Sequence, residues 1–428
     1  MTQEENGSSS STTSSSPLQS FSQMPLSSSP PTSTAPPPTP PLPSAYLQNL
    51  RSDERGLYLI HFLLNCVNHV SAGRLEHVST LLQHISLLST PDGDAMQRLS
   101  AAFSLALARR SLRPFPGLYQ TLVGSSCSVS VSAVAAARHD FVNLCPFLRL
   151  AFAASNQAIV EAMEGEKLVH VIDLGASDPT QWIELLQLLA ARPEGPPHLR
   201  LTAVSESKEI TNQISLCLTK EAERLDIPFQ FNAILTDLNS LDVDKLKVKT
   251  GEALAVSSVL SLHRLLSNSN CKMEDFLTAL WNLAPKIMVV TEQESNHNSS
   301  VLTERFVEAL NYYAALFDCL ELTAPRNSVE RARVERVLFG EEIKNIIASE
   351  GSERKERHER VESWGKRMEA AGFGRIPMGY YGLLHVRRML QGLNCDGYRV
   401  REEKGCFFVC WQDRPLFSVS AWRCRRFD

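Results

Sequence analysis

The residues best equipped for chemistry lie within 168–182, LVHVIDLGASDPTQW. Asp173 closes a short apolar, β-branched run, and Gly175 follows two positions later. An acid and a glycine at the carboxyl end of a parallel strand are the parts of a cofactor loop, because ligands bind at such strand ends and glycine lets backbone approach them. Glu206 follows the next strand-like run, where an acid would hold ribose hydroxyls. Other residues oppose this chemistry. Ser177 stands where a second glycine is needed, and Pro179 stands where the loop should stay open. Asp178, Pro179 and Gln181 fit the N-cap, first-turn proline and capping-box glutamine of a helix, which consumes donors that a ligand would use. Gly175 is expected at positive φ, Asp173 as the acceptor that holds the turn, and His170 as a hydrogen-bonded structural histidine.

Other reaction classes find less support. The chain has no Gly-x-x-x-x-Gly-Lys-Ser/Thr phosphate loop, no Gly-x-Ser-x-Gly elbow and no His-Glu-x-x-His pair. Cys406 and Cys410 share a strand face too far apart to hold one metal and read as buried thiols. Ten cysteines without a Cys-x-x-Cys pair or a secretory signal suggest a reducing compartment, and no apolar run has membrane-spanning length. A net charge of −4 gives no overall attraction to nucleic acid. Residues 341–375 are rich in charge. Glu350/Arg354, Glu353/Arg357, Glu356/Arg360 and Glu362/Lys366 are i,i+4 pairs, which predict a solvated, self-paired helix face. Arg423, Arg425 and Arg426 form a smaller basic cluster.

The elements that would position these residues are legible from periodicity. Residues 1–46 are dominated by Ser, Thr and Pro and predict a disordered tail. Leu57, Ile60, Leu63, Leu64, Val67 and Val70 recur at helical spacing, Gly73 interrupts, and Leu75 to Leu88 repeat the pattern. Asp94 can cap a third helix. From Pro146 onward helices alternate with strands: strands at 168–172, 199–204, 229–235, 253–256 and 286–291, helices at 147–163, 180–191 and 208–225. Runs at 398–401, 406–411 and 416–422 predict antiparallel strands added at the sheet edge. This is an α/β fold with a mainly parallel, Rossmann-like sheet in the order of class I methyltransferases, capped by an N-terminal helical bundle. Asp173-Leu174-Gly175 resembles the opening of the methyltransferase cofactor loop.

Three motifs carry a family resemblance. His170-Val171-Ile172-Asp173 with Gln181-Trp182 is similar to the VHIID motif of the GRAS family of plant transcriptional regulators. Arg336 and Glu342, within and beside Phe339-Gly340-Glu341-Glu342-Ile343, with 353–359, are similar to its PFYRE region, and Ser420-Ala421-Trp422 to its SAW motif. Residues 194–200 and 260–263 resemble its Scarecrow-like branch. The sequence departs from the family at Gly175, where many members carry a second acid, and at Pro179, where they carry glycine. The resemblance implies one domain over 47–428. It would divide into a first leucine repeat at about 50–123, a VHIID region at 124–205, a second leucine repeat at 206–243, PFYRE at 253–348 and SAW at 351–428. It also implies a nuclear regulator of plant development and gibberellin signalling without catalytic, cofactor or metal residues. Its partners would be DELLA and Scarecrow-type GRAS proteins, in homo- or heterodimers, and zinc-finger factors that make most of the DNA contact. Leu57, Leu64 and, if exposed, Trp422 are candidate partner-binding residues. The alternative is an S-adenosylmethionine-dependent small-molecule methyltransferase.

Overall fold

A computed structural model describes residues 50–124, 129–267, 270–393 and 395–425. The predicted tail at 1–46 and Arg426 lie outside them. Three helices open the described chain: α1 (Ser52–Ser71), α2 (Leu75–Leu88) and α3 (Ala95–Ser111). Asp94 caps α3 as its position predicts. Its carboxylate accepts from the Gln97 amide at 3.0 Å, and Gln97 Oε1 accepts from the Asp94 amide at 3.2 Å. Ile60, Leu63, Val67, Val78, Ile85 and Leu88 are buried, so the leucine spacing serves the core. Helices α4 (Val131–Leu144) and α5 (Phe147–Ala162) lead into the sheet.

The sheet alternates with helices as the pattern predicts. Strand β1 is Leu168–Asp173, then α6 (Thr180–Ala190), β2 (His198–Ser205), α7 (Lys208–Arg224) and β3 (Phe229–Leu235). Next come β4 (Ala253–Val259), α8 (Asn270–Asn282), β5 (Ile287–Gln293), the 22-residue α9 (Leu302–Thr323), α10 (Gly340–Ala348) and α11 (Val361–Ala370). β6 (Phe373–Ile376), α12 (Tyr380–Gln391), β7 (Tyr398–Glu403), β8 (Cys406–Trp411) and β9 (Arg414–Cys424) complete the described chain. The strand order is β3-β2-β1-β4-β5-β9-β8-β7, with β1 to β5 mutually parallel. This is the class I methyltransferase-like sheet expected from the sequence.

The C-terminal strands differ from expectation in one respect. β9 is not at the edge. It runs antiparallel to β5 along one side, and its other side is shared by β8 and β6. The four-residue β6, missed in the sequence, is FGRI, where glycine and arginine erase the apolar alternation. Side chains on the two sheet faces feed two cores. Val169, Val171, Phe417, Val419 and Ala421 pack with the helical layer of α1, α3, α5 and α9. Ile172, Val256, Met288, Val290 and Trp422 face α8, α11 and β6 on the other side. Burial on both faces explains why these strands read as continuous apolar runs.

Residues 350–360 correct a prediction. They contain a single 3₁₀ turn, Gly351–Glu353, and otherwise no helix. Gly351 takes φ +56°, which ends the helical path. The expected i,i+4 pairs at 350–360 are therefore replaced by long-range ones. Glu350 pairs with Arg110 and with Arg305 at 2.8 Å, Glu353 with Arg113 at 2.9 Å, and Arg360 with Glu308 at 2.9 Å. Among the described residues no helix is long and apolar enough to cross a membrane.

Candidate functional site

The loop after β1 is held by its own chain. Asp173 is buried; its Oδ1 accepts from the Gly175 amide at 3.0 Å and its Oδ2 from the Trp182 indole at 2.7 Å. Burial pushes this carboxyl up to about 6, against those two hydrogen bonds, which favour the charged form. The Leu174 amide donates to Ser257 O at 2.9 Å and the Ala176 amide to Val204 O at 3.0 Å. The Thr180 amide donates to Asp178 Oδ1 at 2.8 Å. Three successive loop amides and one at the helix start are thus spent internally; Asp178 accepts from the Thr180 amide, but the helix starts one residue later than expected, with Pro179 at its N-cap.

Two expectations about this loop are corrected. Gly175 is not at positive φ. It is glycine because a Cβ there would lie 1.8 Å from Ser261 Oγ, on the turn after β4. Gln181 does not close a capping box. It is buried, with its amide nitrogen 3.4 Å from Asn156 Oδ1 and from Ser257 Oγ, and it ties α6 to α5 and β4. His170 is structural as expected. Arg200 donates to its Nδ1 at 2.9 Å, which leaves the Nε2 proton for Thr202 Oγ1 at 2.8 Å. Burial, then the Arg200 charge, lowers it to about 4, so it is neutral at pH 7. Cys406 and Cys410 are buried thiols, and burial raises both.

A cavity of about 280 Å³ remains beside the loop, over the ends of β1, β2 and β4. Gly175, Glu206, Asp237, Ser261, Arg264 and Lys355 are among its lining residues. Ser261, Arg264 and Lys355 lead from the cavity to a polar cluster that the sequence reading missed. Glu292, at the end of β5, accepts from the amides of Ser261, Leu262 and His263 at 3.2, 2.9 and 3.4 Å. Its Oε2 lies 2.8 Å from His263 Nδ1, and His263 Nε2 lies 2.9 Å from Glu356 Oε2. Burial would lower His263, but the two carboxylates outweigh it and hold the imidazole at about 9. His358 Nδ1 is 2.9 Å from His297 Nδ1, and burial keeps both rings well below the ordinary histidine range. Glu342 adjoins this cluster, accepting from Tyr313 at 2.8 Å and Gln293 at 3.2 Å; burial and the Glu356 charge raise it. The available signal was Gly351, a helix stop inside a charge run that we read as continuous helix.

The remaining family-motif residues separate by burial. Arg336 is exposed and pairs with Asp92 at 2.7 Å, away from the cluster. Trp182, Ser420, Ala421 and Trp422 are buried. Trp422 has no exposed surface; its indole donates to Ser420 Oγ at 2.9 Å, and the Arg375 guanidinium sits 5.0 Å from its ring centre. It is a core residue and not a surface anchor. Leu64 is half-buried against the core, whereas Leu57 is 64% exposed.

The model of the GRAS domain family matches residues 59–423, nearly all of the described chain. The chain belongs to the GRAS family. This GRAS protein is 48% identical to Scarecrow-like protein 3 of Arabidopsis thaliana, over 100% of this chain and 99% of that one. It is 36% identical to DELLA protein RGL1 of Arabidopsis thaliana, over 89% of this chain and 72% of the relative. Its fold superimposes on the crystal structure of SCL7 from Oryza sativa with a TM-score of 0.72 at 29% identity, covering 85% of this chain and 99% of the other. The VHIID, PFYRE and SAW resemblances therefore rest on a shared fold.

Proposed function

We propose that this GRAS protein is a nuclear transcriptional co-regulator in plant development and gibberellin signalling that works by protein–protein contact and not by catalysis. The observation that carries this reading is the closed loop after β1. Its amides at Leu174, Gly175 and Ala176 already donate to Ser257, Asp173 and Val204, so they are not offered to a cofactor. End-to-end likeness to Scarecrow-like protein 3 and extensive likeness to DELLA proteins support partners of the same family, in homo- or heterodimers. Exposed Leu57, on the outer face of α1, is the proposed contact, with Leu64 supporting it from the half-buried side. Zinc-finger factors would supply most of the DNA contact, since a net charge of −4 offers little counterion release of its own.

Two measurements test this. Pull-downs of the full chain with a DELLA protein should succeed, and Leu57→Asp should abolish capture while leaving the melting temperature unchanged. Calorimetry should show no saturable binding of S-adenosylmethionine, and the protein alone should bind DNA only weakly with a steep salt dependence. Saturable cofactor binding with methyl transfer to any acceptor would replace the regulator reading with an enzyme. Sequence-selective nanomolar DNA binding at physiological salt would remove the need for a zinc-finger partner.

A further inference from the structure

We propose that His263, Glu356 and His358 form a binding site for a divalent transition-metal ion, zinc in first place. Among the described residues these three alone bring His, Cys or carboxylate donors together in this way, with all donor atoms within 4.8 Å of one another. The donors come from two places in the chain. His263 lies on the turn after β4, Glu356 and His358 lie in the segment 350–360, and Glu292 of β5 supports His263 from behind.

The distances suit an ion. Donors about 2.1 Å from a tetrahedral zinc lie about 3.4 Å apart. His358 Nε2 is 3.4 Å from Glu356 Oε2 already. His263 Nε2 is 2.9 Å from the same oxygen, so that pair opens by about half an ångström to admit the metal. The set of two imidazoles and one carboxylate is a common zinc donor set, and three protein ligands leave a fourth position for water.

The hydrogen bonds behind the donors orient them. His263 Nδ1–H donates to Glu292 Oε2 at 2.8 Å, the carboxylate–histidine arrangement that turns Nε2 toward a metal. The second histidine is set by a chain of single donors. Ser295 Oγ donates to Glu308 Oε1 at 3.1 Å, so it accepts from His297 Nε2 at 2.9 Å. His297 Nδ1 then accepts from His358 Nδ1 at 2.9 Å. His358 Nε2 is left as a bare lone pair, fully buried, with no hydrogen-bond partner and facing a carboxylate oxygen. Two acceptors turned toward each other 3.4 Å apart offer a place for a cation between them. Glu292 and Glu356 flank His263 with two carboxylates, and Arg264, 3.9 Å from Glu356 Oε1, is the other cation facing the group. Binding displaces the Nε2 proton of His263 to solvent, one proton per ion. The ion would join the segment 350–360 to the ends of β4 and β5.

The test uses the full chain, stripped with a chelator. It is titrated with Zn²⁺ against a chromophoric competitor and with Co²⁺ by absorption. One Zn²⁺ should bind per chain with micromolar or tighter affinity, and Co²⁺ should give ligand-field bands of low coordination number. Glu292→Gln should weaken binding roughly 10–100-fold, as loss of an orienting carboxylate does elsewhere. His358→Cys should keep the ion and add a thiolate-to-cobalt charge-transfer band. Because the chain holds ten cysteines, zinc retained equally by Glu356→Gln and His358→Ala would place the ion elsewhere and overturn the assignment. So would no bound zinc in the unaltered protein, or a His358→Cys cobalt spectrum without the new band. If His358→Ala or Glu356→Gln fails to fold, Glu292→Gln and His358→Cys decide the matter.

Discussion

Replacing Trp422 with alanine tests whether the SAW motif is structural. The indole is fully buried between β5, β6 and α11, where Met288, Trp364, Met368 and Phe373 belong to the same core. A buried tryptophan removes roughly 150–250 Å² from water, worth about 4–6 kcal/mol at ~25 cal/mol per Å². Measured Trp→Ala losses in cores run to about 3–5 kcal/mol, because the site relaxes partly into the cavity. The neighbours add to this. Ser420 Oγ loses its indole donor, and the Arg375 guanidinium, 5.0 Å from the ring centre, loses a cation–π contact of about 1 kcal/mol or more. We expect a loss of about 4–6 kcal/mol, which is a large share of ordinary domain stability. Urea unfolding followed by circular dichroism, with Trp422→Phe as the milder control, measures it. Partner capture should fall only in proportion to the unfolded fraction. A Trp422→Ala protein that unfolds within about 1 kcal/mol of the parent, yet no longer captures its partner, would refute the core assignment.

Asp173 predicts a pH dependence. Its folded carboxyl is raised from 3.8 to about 6, so its stabilising contribution is fully present below pH 3.8 and is lost as pH rises through about 6. The shift corresponds to roughly 3 kcal/mol, and the stability difference between parent and Asp173→Asn should change by about that much between pH 4 and 7.5 in urea titrations; a difference constant across pH would refute it. Gly175→Ala should destabilise by about 1–3 kcal/mol, because its Cβ would lie 1.8 Å from Ser261 Oγ, and Ser261→Gly should restore part of the loss in thermal melts. Arg98 is buried and donates to both carboxylate oxygens of Glu335 at 2.8 and 3.0 Å. Arg98→Ala should therefore cost about 3–5 kcal/mol in urea unfolding, because Glu335 keeps only Arg331 at 4.0 Å and Glu321 loses its 2.7 Å partner, while the double variant Arg98→Met/Glu335→Leu recovers part of it, with Arg331 still paired to Glu321 at 3.4 Å.

What the sequence made legible was whatever follows a single period. β8 was bounded to the residue and β1 to within one, because side chains buried on both faces leave an unbroken apolar run, and β3 was bounded to the residue by its alternation of apolar with polar side chains. Asp178 announced its bond to the Thr180 amide, a contact only two residues away. What failed was decided by residues distant in the chain. Gly175 answers to Ser261, which no local rule detects. Gln181 sits where a capping box would, but Asn156 and Ser257 claim its amide. The charges of 350–360 fit i,i+4 pairing well enough to mask Gly351, and their true partners include His263, Arg110, Arg113 and Arg305. His263 and Glu356, the heart of the polar cluster, lie 93 positions apart, and nothing in either neighbourhood points to the other.

The central place of β9 has a consequence for biosynthesis. β9 is translated after the other eight described strands, yet it fills the gap between β5 on one side and β8 and β6 on the other. Until it leaves the ribosome, the nascent chain carries three open strand edges and an unfilled groove where Trp422 will lodge. Such edges invite pairing with other chains for as long as β9 is missing. A premature stop at codon 413 would then leave not a shortened domain but a chain with open strand edges, prone to pair with other chains.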